Sequence, residues 1–170
     1  MKAHKLVVMG VAGSGKSTLG EELARTLGLP LIEGDQHHLP ASKAKMRAGI
    51  AVDDADREPW LDRLGALLAE APGGAVLTCS ALKRGYRERL RAKVPGLKFV
   101  FIEIDRAEAQ ARVAARPAHM FPASLVANQF ATLESPSAEP GVVTVAASEA
   151  PSAQVAAVVK WLGTPAANSR

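Results

Sequence analysis

The chain has 170 residues, 48% of them hydrophobic and 22% charged, with a net charge of +4. That composition excludes a disordered chain, fits one domain with a full-sized core and leaves little room for a second. Aromatic residues make up 4% and are not interleaved with the basic ones, so no nucleic-acid partner is expected and the mild positive charge reads as a site for small anions. The single cysteine, Cys79, excludes an internal disulfide, and no apolar run approaches the roughly 20 residues of a bilayer span, so no membrane partner and a cytoplasmic location are expected.

The first element in chain order is the apolar run Leu6-Val7-Val8-Met9, read as a strand. Gly10-Val11-Ala12-Gly13-Ser14-Gly15-Lys16-Ser17 follows at once, and then Leu19, Leu23 and Leu27 recur every four residues as the stripe of a helix. Strand, glycine-rich turn and helix is the context of a phosphate-binding loop. Glycines permit backbone angles that aim consecutive N–H groups at phosphate oxygens, and the helix start adds the positive end of its dipole. Residues Gly10 to Thr18 are therefore expected to hold a nucleoside triphosphate. Lys16 is expected to reach the β and γ phosphates, and the Ser17 hydroxyl to ligate Mg²⁺.

Four more short apolar runs predict strands at Leu29–Ile32, Ala75–Thr78, Leu97–Ile102 and Val142–Val145. Helical patterns separate them, and such alternation implies parallel strands joined by crossover helices. A helix is expected from about Pro59 to Ala71, with Asp56 as N-cap and Trp60, Leu61, Leu64, Leu67 and Leu68 on its apolar face. Ser80 is the candidate cap of a helix running to Lys93, and Asp105 with Glu108 forms a capping box for a helix from Arg106 to Ala115. A last helix spans Ser152 to Leu162. The whole is expected to be one domain, residues 1–163, with a frayed tail at 164–170. Two segments interrupt the alternation. Residues 35–57, holding a short helix at Ala41–Ala48, read as an acceptor-binding insertion, and residues 116–136 as a lid, because ligands of open α/β sheets sit beyond the carboxyl ends of the strands.

A phosphoryl transfer also needs a group to take the acceptor's proton. Glu33-Gly34-Asp35 closes the second strand, where Gly34 allows a sharp turn. Asp35 is the candidate base and Glu33 a partner of Mg²⁺ through water, the alternative being that either one caps the following turn. Glu103 and Asp105, ending another strand, compete for the metal role. Lys83 and Arg84 lie in a helix's first turn, where cations are unfavourable unless an anion binds, which suggests an acceptor bearing a carboxylate. Arg87 and Arg91 continue the four-residue spacing of Lys83, the pattern of a solvated face paired with acids such as Glu88. Arg57 is a candidate anion binder and His38 a candidate for an acceptor hydroxyl. Arg112 and Arg116, one turn apart on the helix entering the lid, are candidate cations for the transferring phosphoryl group. Trp60, Trp161 and Met46 read as core.

With these blocks in place the chain resembles the gluconate kinases, a branch of the P-loop small-molecule kinases. The matching residues are the loop Met9 to Ser17, Gly34-Asp35 with His38, and Asp54, Asp56-Arg57 with Pro59-Trp60-Leu61. They continue with Cys79-Ser80-Ala81-Leu82-Lys83-Arg84, then His119, Gln129-Phe130 and Thr132-Leu133-Glu134. The resemblance implies a three-layer P-loop kinase fold, α/β, with a five-stranded parallel sheet in order 2-3-1-4-5 and a small lid. It implies ATP with Mg²⁺, transfer to the 6-hydroxyl of D-gluconate, a substrate-binding role for His119, and in many members a homodimer. It also implies that the strand beside the phosphate loop ends at Cys79 without an acid, which throws the metal role onto Ser17 and Glu33. Another sugar acid or shikimate as acceptor, or a relative that binds nucleotide without catalysis, are the alternatives.

Overall fold

Leu6, Val7, Val8 and Met9 are all fully buried, because the strand they form, β1 (His4–Met9), lies at the centre of the sheet with helices over both faces. The computed structural model describes residues 4–50, 52–115 and 124–163; Arg116 and His119 lie outside them. β1 pairs in parallel with β3 (Gly74–Thr78) on one side and β4 (Lys98–Glu103) on the other. β2 (Leu31–Glu33) and β5 (Val142–Ala146) complete the order β2-β3-β1-β4-β5. The expected topology is thus the observed one, and the unbroken apolar runs are what strands covered on both faces require.

Alternation along β1 divides the core. Val7 and Met9 pack with Trp60, Leu61, Leu64 and Leu68 of α3 (Asp54–Ala69) and with Leu90 of α4 (Arg84–Lys93). Leu6 and Val8 face the other way, toward Leu19 and Leu23 of α1 (Lys16–Leu27) and Val158 of α7 (Pro151–Gly163). A third cluster joins Val11 of the phosphate loop to Ala109 and Val113 of α5 (Arg106–Ala114) and Val126 of α6 (Ser124–Thr132). No helix among the described residues is long and apolar enough to cross a membrane.

Two helix starts differ from the sequence expectation. α3 begins at Asp54, not near Pro59, because Asp53 rather than Asp56 is its N-cap: the Asp53 carboxylate accepts the Asp56 N–H at 2.9 Å, and Asp56 accepts the Asp53 N–H at 3.1 Å. This reciprocal box outweighs Pro59, whose missing N–H deprives only the carbonyl of Ala55, an exposed residue that water can serve. Ser80 does not cap α4. Residues 79–83 form a loop in which Ala81 takes φ +47°, and α4 starts at Arg84, whose N–H donates to Glu134 Oε1 at 2.8 Å. Asp105 does cap α5, accepting the Glu108 N–H at 2.9 Å. Trp161 is only half-buried, with the Lys98 ammonium 5.3 Å from its ring centroid.

Candidate active site

The cleft opens at the carboxyl ends of β1, β2 and β3, with the phosphate loop as one wall. Gly13 and Gly15 hold φ of 84° and 97°, angles at which a side chain is strained. α1 starts with Gly15 as its N-cap, which brings no side chain, so no side-chain cap stands between the start of the helix and the cleft that Gly15, Lys16 and Ser17 line. Lys16 Nζ lies back on the loop, donating to the Val11 carbonyl at 3.2 Å. Ser17 Oγ donates to Glu33 Oε1 at 3.3 Å, and Thr78 Oγ1 donates to the same oxygen. The structure therefore brings together the two groups expected at the metal.

Gly34 is required by proximity rather than by its angles: a Cβ there would stand 2.3 Å from the Thr78 carbonyl oxygen. This close approach of β2's end to β3 carries Asp35 to the rim opposite Lys16. Asp35 lies deep in the cleft but keeps about two-thirds of its side chain, 67%, open to the cleft's solvent. Crowding by protein atoms works to raise its pKa; the His38 ring and the charges of Lys16 and Arg57 outweigh that and hold the carboxyl below the ordinary aspartate value of 3.8. His38 is buried, stacked on Trp60 at 4.0 Å between centroids, with Nε2 3.6 Å from Asp35 Oδ1 and a buried Nδ1 that has no hydrogen-bond partner among the described residues. Trp60 is core, as expected, and also fixes the site: its indole N–H donates to the Gly34 carbonyl at 2.8 Å.

Arg57 projects from the first turns of α3 between two rings, 5.9 Å from Trp60 and 5.4 Å from Tyr86. Among the described residues its buried Nε finds no hydrogen-bond partner. It lines both the inner cleft, with Asp35 and Lys16, and an outer hollow that includes Lys83 and Asp54. Lys83 is brought to that hollow and bonds Asp54 at 3.1 Å; Tyr86 donates its hydroxyl to the same carboxylate. Burial and then this bond push the Tyr86 pKa up, so the phenol stays a donor. Arg84 is not brought to the cleft, for its side chain turns outward to Glu88 at 3.3 Å. Cys79, fully buried beneath the site, has its thiol pushed up to about 12 by desolvation and by Asp35, and is inert.

Arg87 departs furthest from expectation. It is not on a solvated face but fully buried, paired in parallel with Glu139 at 3.0 and 2.6 Å, and donating to the carbonyls of Ala81 at 2.7 Å and Glu134 at 2.8 Å. Arg91 joins Glu139 at 2.9 Å. The partner lies 52 residues away, so nothing near Arg87 signals the pairing. Its effect is to hold the β3–α4 loop, which carries Ser80 and Lys83, against the segment leaving α6.

Arg112, expected at the transferring phosphoryl group, is placed beside the phosphate loop and does not line the inner cleft of Lys16 and Asp35. It donates to the Gly13 carbonyl at 3.3 Å, to the Ala147 carbonyl at 3.1 Å and to Glu108 at 2.7 Å. There it lines a hollow between the loop and residues 147–151, a region that patterning alone did not single out. Glu103 is exposed and Asp105 is occupied with its cap, so neither reaches the cleft. Gln129 of α6, quoted only as part of a pattern, proves to be buried in the cleft wall, with Oε1 accepting the Ala12 N–H at 2.6 Å. Among the described residues no group of three or more His, Cys, Asp or Glu is arranged to hold a metal ion.

A family model described as an AAA domain matches residues 6–136. The chain is 46% identical over 154 residues to a gluconokinase of Gluconobacter oxydans, covering 89% of this chain and 86% of that protein. It is 36% identical over 139 residues to the thermoresistant gluconokinase of Escherichia coli, with 80% and 79% covered. Among solved structures, a gluconokinase from Sinorhizobium meliloti superposes with a TM-score of 0.83 at 41% identity, covering 94% of this chain and 95% of that one.

Proposed function

Since the chain belongs to the gluconokinase family, we propose that it transfers the γ-phosphoryl group of ATP to the 6-hydroxyl of D-gluconate, giving 6-phospho-D-gluconate and ADP. The observation that carries this assignment is one cleft in which the phosphate loop with Lys16 faces Asp35, His38 and Arg57 across a gap of small-molecule size.

The loop amides and the start of α1 take the triphosphate, and the hollow beside Arg112 takes the nucleoside end. Ser17 and Glu33 are hard oxygen donors 3.3 Å apart at the loop's mouth, which suits Mg²⁺, an ion that keeps few protein ligands. When bound, Mg²⁺ neutralises charge on the β and γ oxygens. Lys16 adds a positive charge to those oxygens. Asp35, ionised at neutral pH, accepts the proton of the 6-hydroxyl as the new O–P bond forms and the bond to the β-phosphate oxygen breaks. A low-pKa carboxylate is a weak base, but a loose phosphoryl transition state asks mainly for orientation. His38, locked on Trp60, steadies that carboxylate. Arg57, with a buried N–H that has no hydrogen-bond partner among the described residues and aromatic rings on two sides, takes the acceptor's carboxylate with Lys83. Arg116 and His119 are proposed to close from the lid.

The test is ADP release measured against a panel of sugar acids. Strong stimulation by gluconate is expected, with polyols lacking a carboxylate much weaker; ADP release independent of any acceptor would overturn the assignment. Within the panel, Arg57→Lys should raise the gluconate KM well above any change in the ATP KM, because an ammonium cannot form the paired bonds.

A further inference from the structure

Gln129 stands 117 residues from Ala12 in sequence, yet its side chain is buried against the phosphate loop. An amide has one accepting end and one donating end, and a backbone N–H can only donate, so the Gln129 oxygen must be the atom facing Ala12. The two Nε2 hydrogens are then the end left for the cleft. Gln129 lines both chambers, the inner one with Lys16 and Asp35 and the outer one with Arg57 and Lys83.

The helix that carries it is well anchored. Val126, Phe130 and Leu133 pack with Val11 and Ala12 and with α5. Just beyond α6, the Glu134 N–H donates to the Leu82 carbonyl at 2.8 Å and Glu134 Oε1 accepts the Arg84 N–H. Gln129 is therefore registered at once to the phosphate loop and to the loop that carries Lys83. Its position is set from two sides, which is what a group that measures a distance between donor and acceptor requires.

Resting on the gluconate reading, we propose that Gln129 is a specificity-determining contact to the acceptor. With its carbonyl end held by Ala12, it donates an Nε2 hydrogen to a hydroxyl oxygen of the polyol chain and so sets the reach between the acceptor's terminal hydroxyl and the γ-phosphoryl group. A chain of hydroxyls offers lone pairs to such a donor at every carbon. A rigid amide selects the one that leaves the terminal hydroxyl in line.

Two variants test it. Gln129→Glu keeps the length and an oxygen for Ala12 but offers no donor; Gln129→Met keeps the length and removes both ends. The expected result is a fall in kcat/KM for gluconate of about 10- to 100-fold in both, the cost of one lost bond to a buried polar group. The gluconate KM of Gln129→Met should rise by a larger factor than its ATP KM, to which the freed Ala12 amide contributes, and phosphorylated gluconate formed per ADP released should drop below the wild-type ratio as water replaces a misplaced acceptor. Amide hydrogen exchange at Ala12 should quicken in Gln129→Met whether or not acceptor is present. Wild-type values for gluconate KM and product ratio in both variants would overturn the proposal, and so would equal rises in both KM values or unchanged exchange at Ala12. If the wild-type chain itself transfers nothing to gluconate, it is the functional assignment that fails.

Discussion

The two walls of the cleft are made in opposite ways. The phosphate-loop side is one contiguous stretch, Gly10 to Thr18, presenting backbone N–H groups and a helix start. The opposite side is assembled from side chains of separate segments, and each is held by another residue: His38 by Trp60, Lys83 by Asp54, and the Ser80–Lys83 loop by Arg87 with Glu139. A wall of backbone takes its shape mainly from local angles, here steadied by Gln129 at Ala12, whereas a wall of side chains inherits the packing of the whole domain.

The largest effect is expected on the phosphate-loop wall. Lys16→Met should lower kcat by about 10⁴-fold with no loss of folding, since a cation on the transferring phosphoryl group is worth about 10³–10⁵ in turnover; steady-state kinetics beside a melting curve would show it. On the other wall, Arg87→Met should cost about 3–5 kcal/mol of stability in urea unfolding, because it leaves part of a buried ion pair behind, and should raise the gluconate KM more than the ATP KM. Burial works to raise the Glu139 pKa, but Arg87 and Arg91 hold it below the ordinary value of 4.5. The stability it contributes is therefore complete above that value and lost as pH falls through the lower folded one. The gap between wild type and Arg87→Met should narrow in that acid range.

Asp35 stands in the inner cleft across from Lys16, and Asp35→Asn probes the point where the walls meet. It should lower kcat by about 10²-fold, the lower end of the range for general bases. Because the Asp35 carboxyl is held below 3.8, it stays ionised above that value, and kcat/KM of the wild type should show no acid limb from this group between about pH 5 and 8. An acid limb in that window that vanishes in Asp35→Asn would refute the assignment. The smallest effect is expected at Ala81, whose φ of +47° strains the loop. In Ala81→Gly, relief of about 1–2 kcal/mol is offset by lost apolar burial and added chain entropy, so its unfolding midpoint should barely move.

The strands, their parallel direction, the phosphate loop and the Asp105 cap are legible in the residues, because each is written in local pattern or in a short spacing, whereas the strand order came with the family resemblance. Asp35, His38, Arg57 and Lys83 were legible as candidates by their places at strand ends and helix starts. Arg84 shared the same signal and went elsewhere, since Glu88 one turn along offers a nearer partner than the cleft. The start of α3 was misplaced because Pro59 is a louder mark than the Asp53–Asp56 box. Arg112 was legible as a site arginine, yet its side chain reaches the back of the loop, held there by the Gly13 and Ala147 carbonyls.

What the amino-acid sequence determined by itself is the phosphate loop, since the eight residues Gly10 to Ser17, running from the end of β1 into the start of α1, carry its whole pattern. Only the tertiary structure decided the opposite wall: which of several basic residues face the cleft, that Arg87 is a buried strut paired with Glu139, and that Gln129 grips the phosphate loop. The reason is physical. Backbone angles are set mainly by neighbours along the chain, while the surroundings of a side chain are fixed by residues far along the chain that only folding brings within reach.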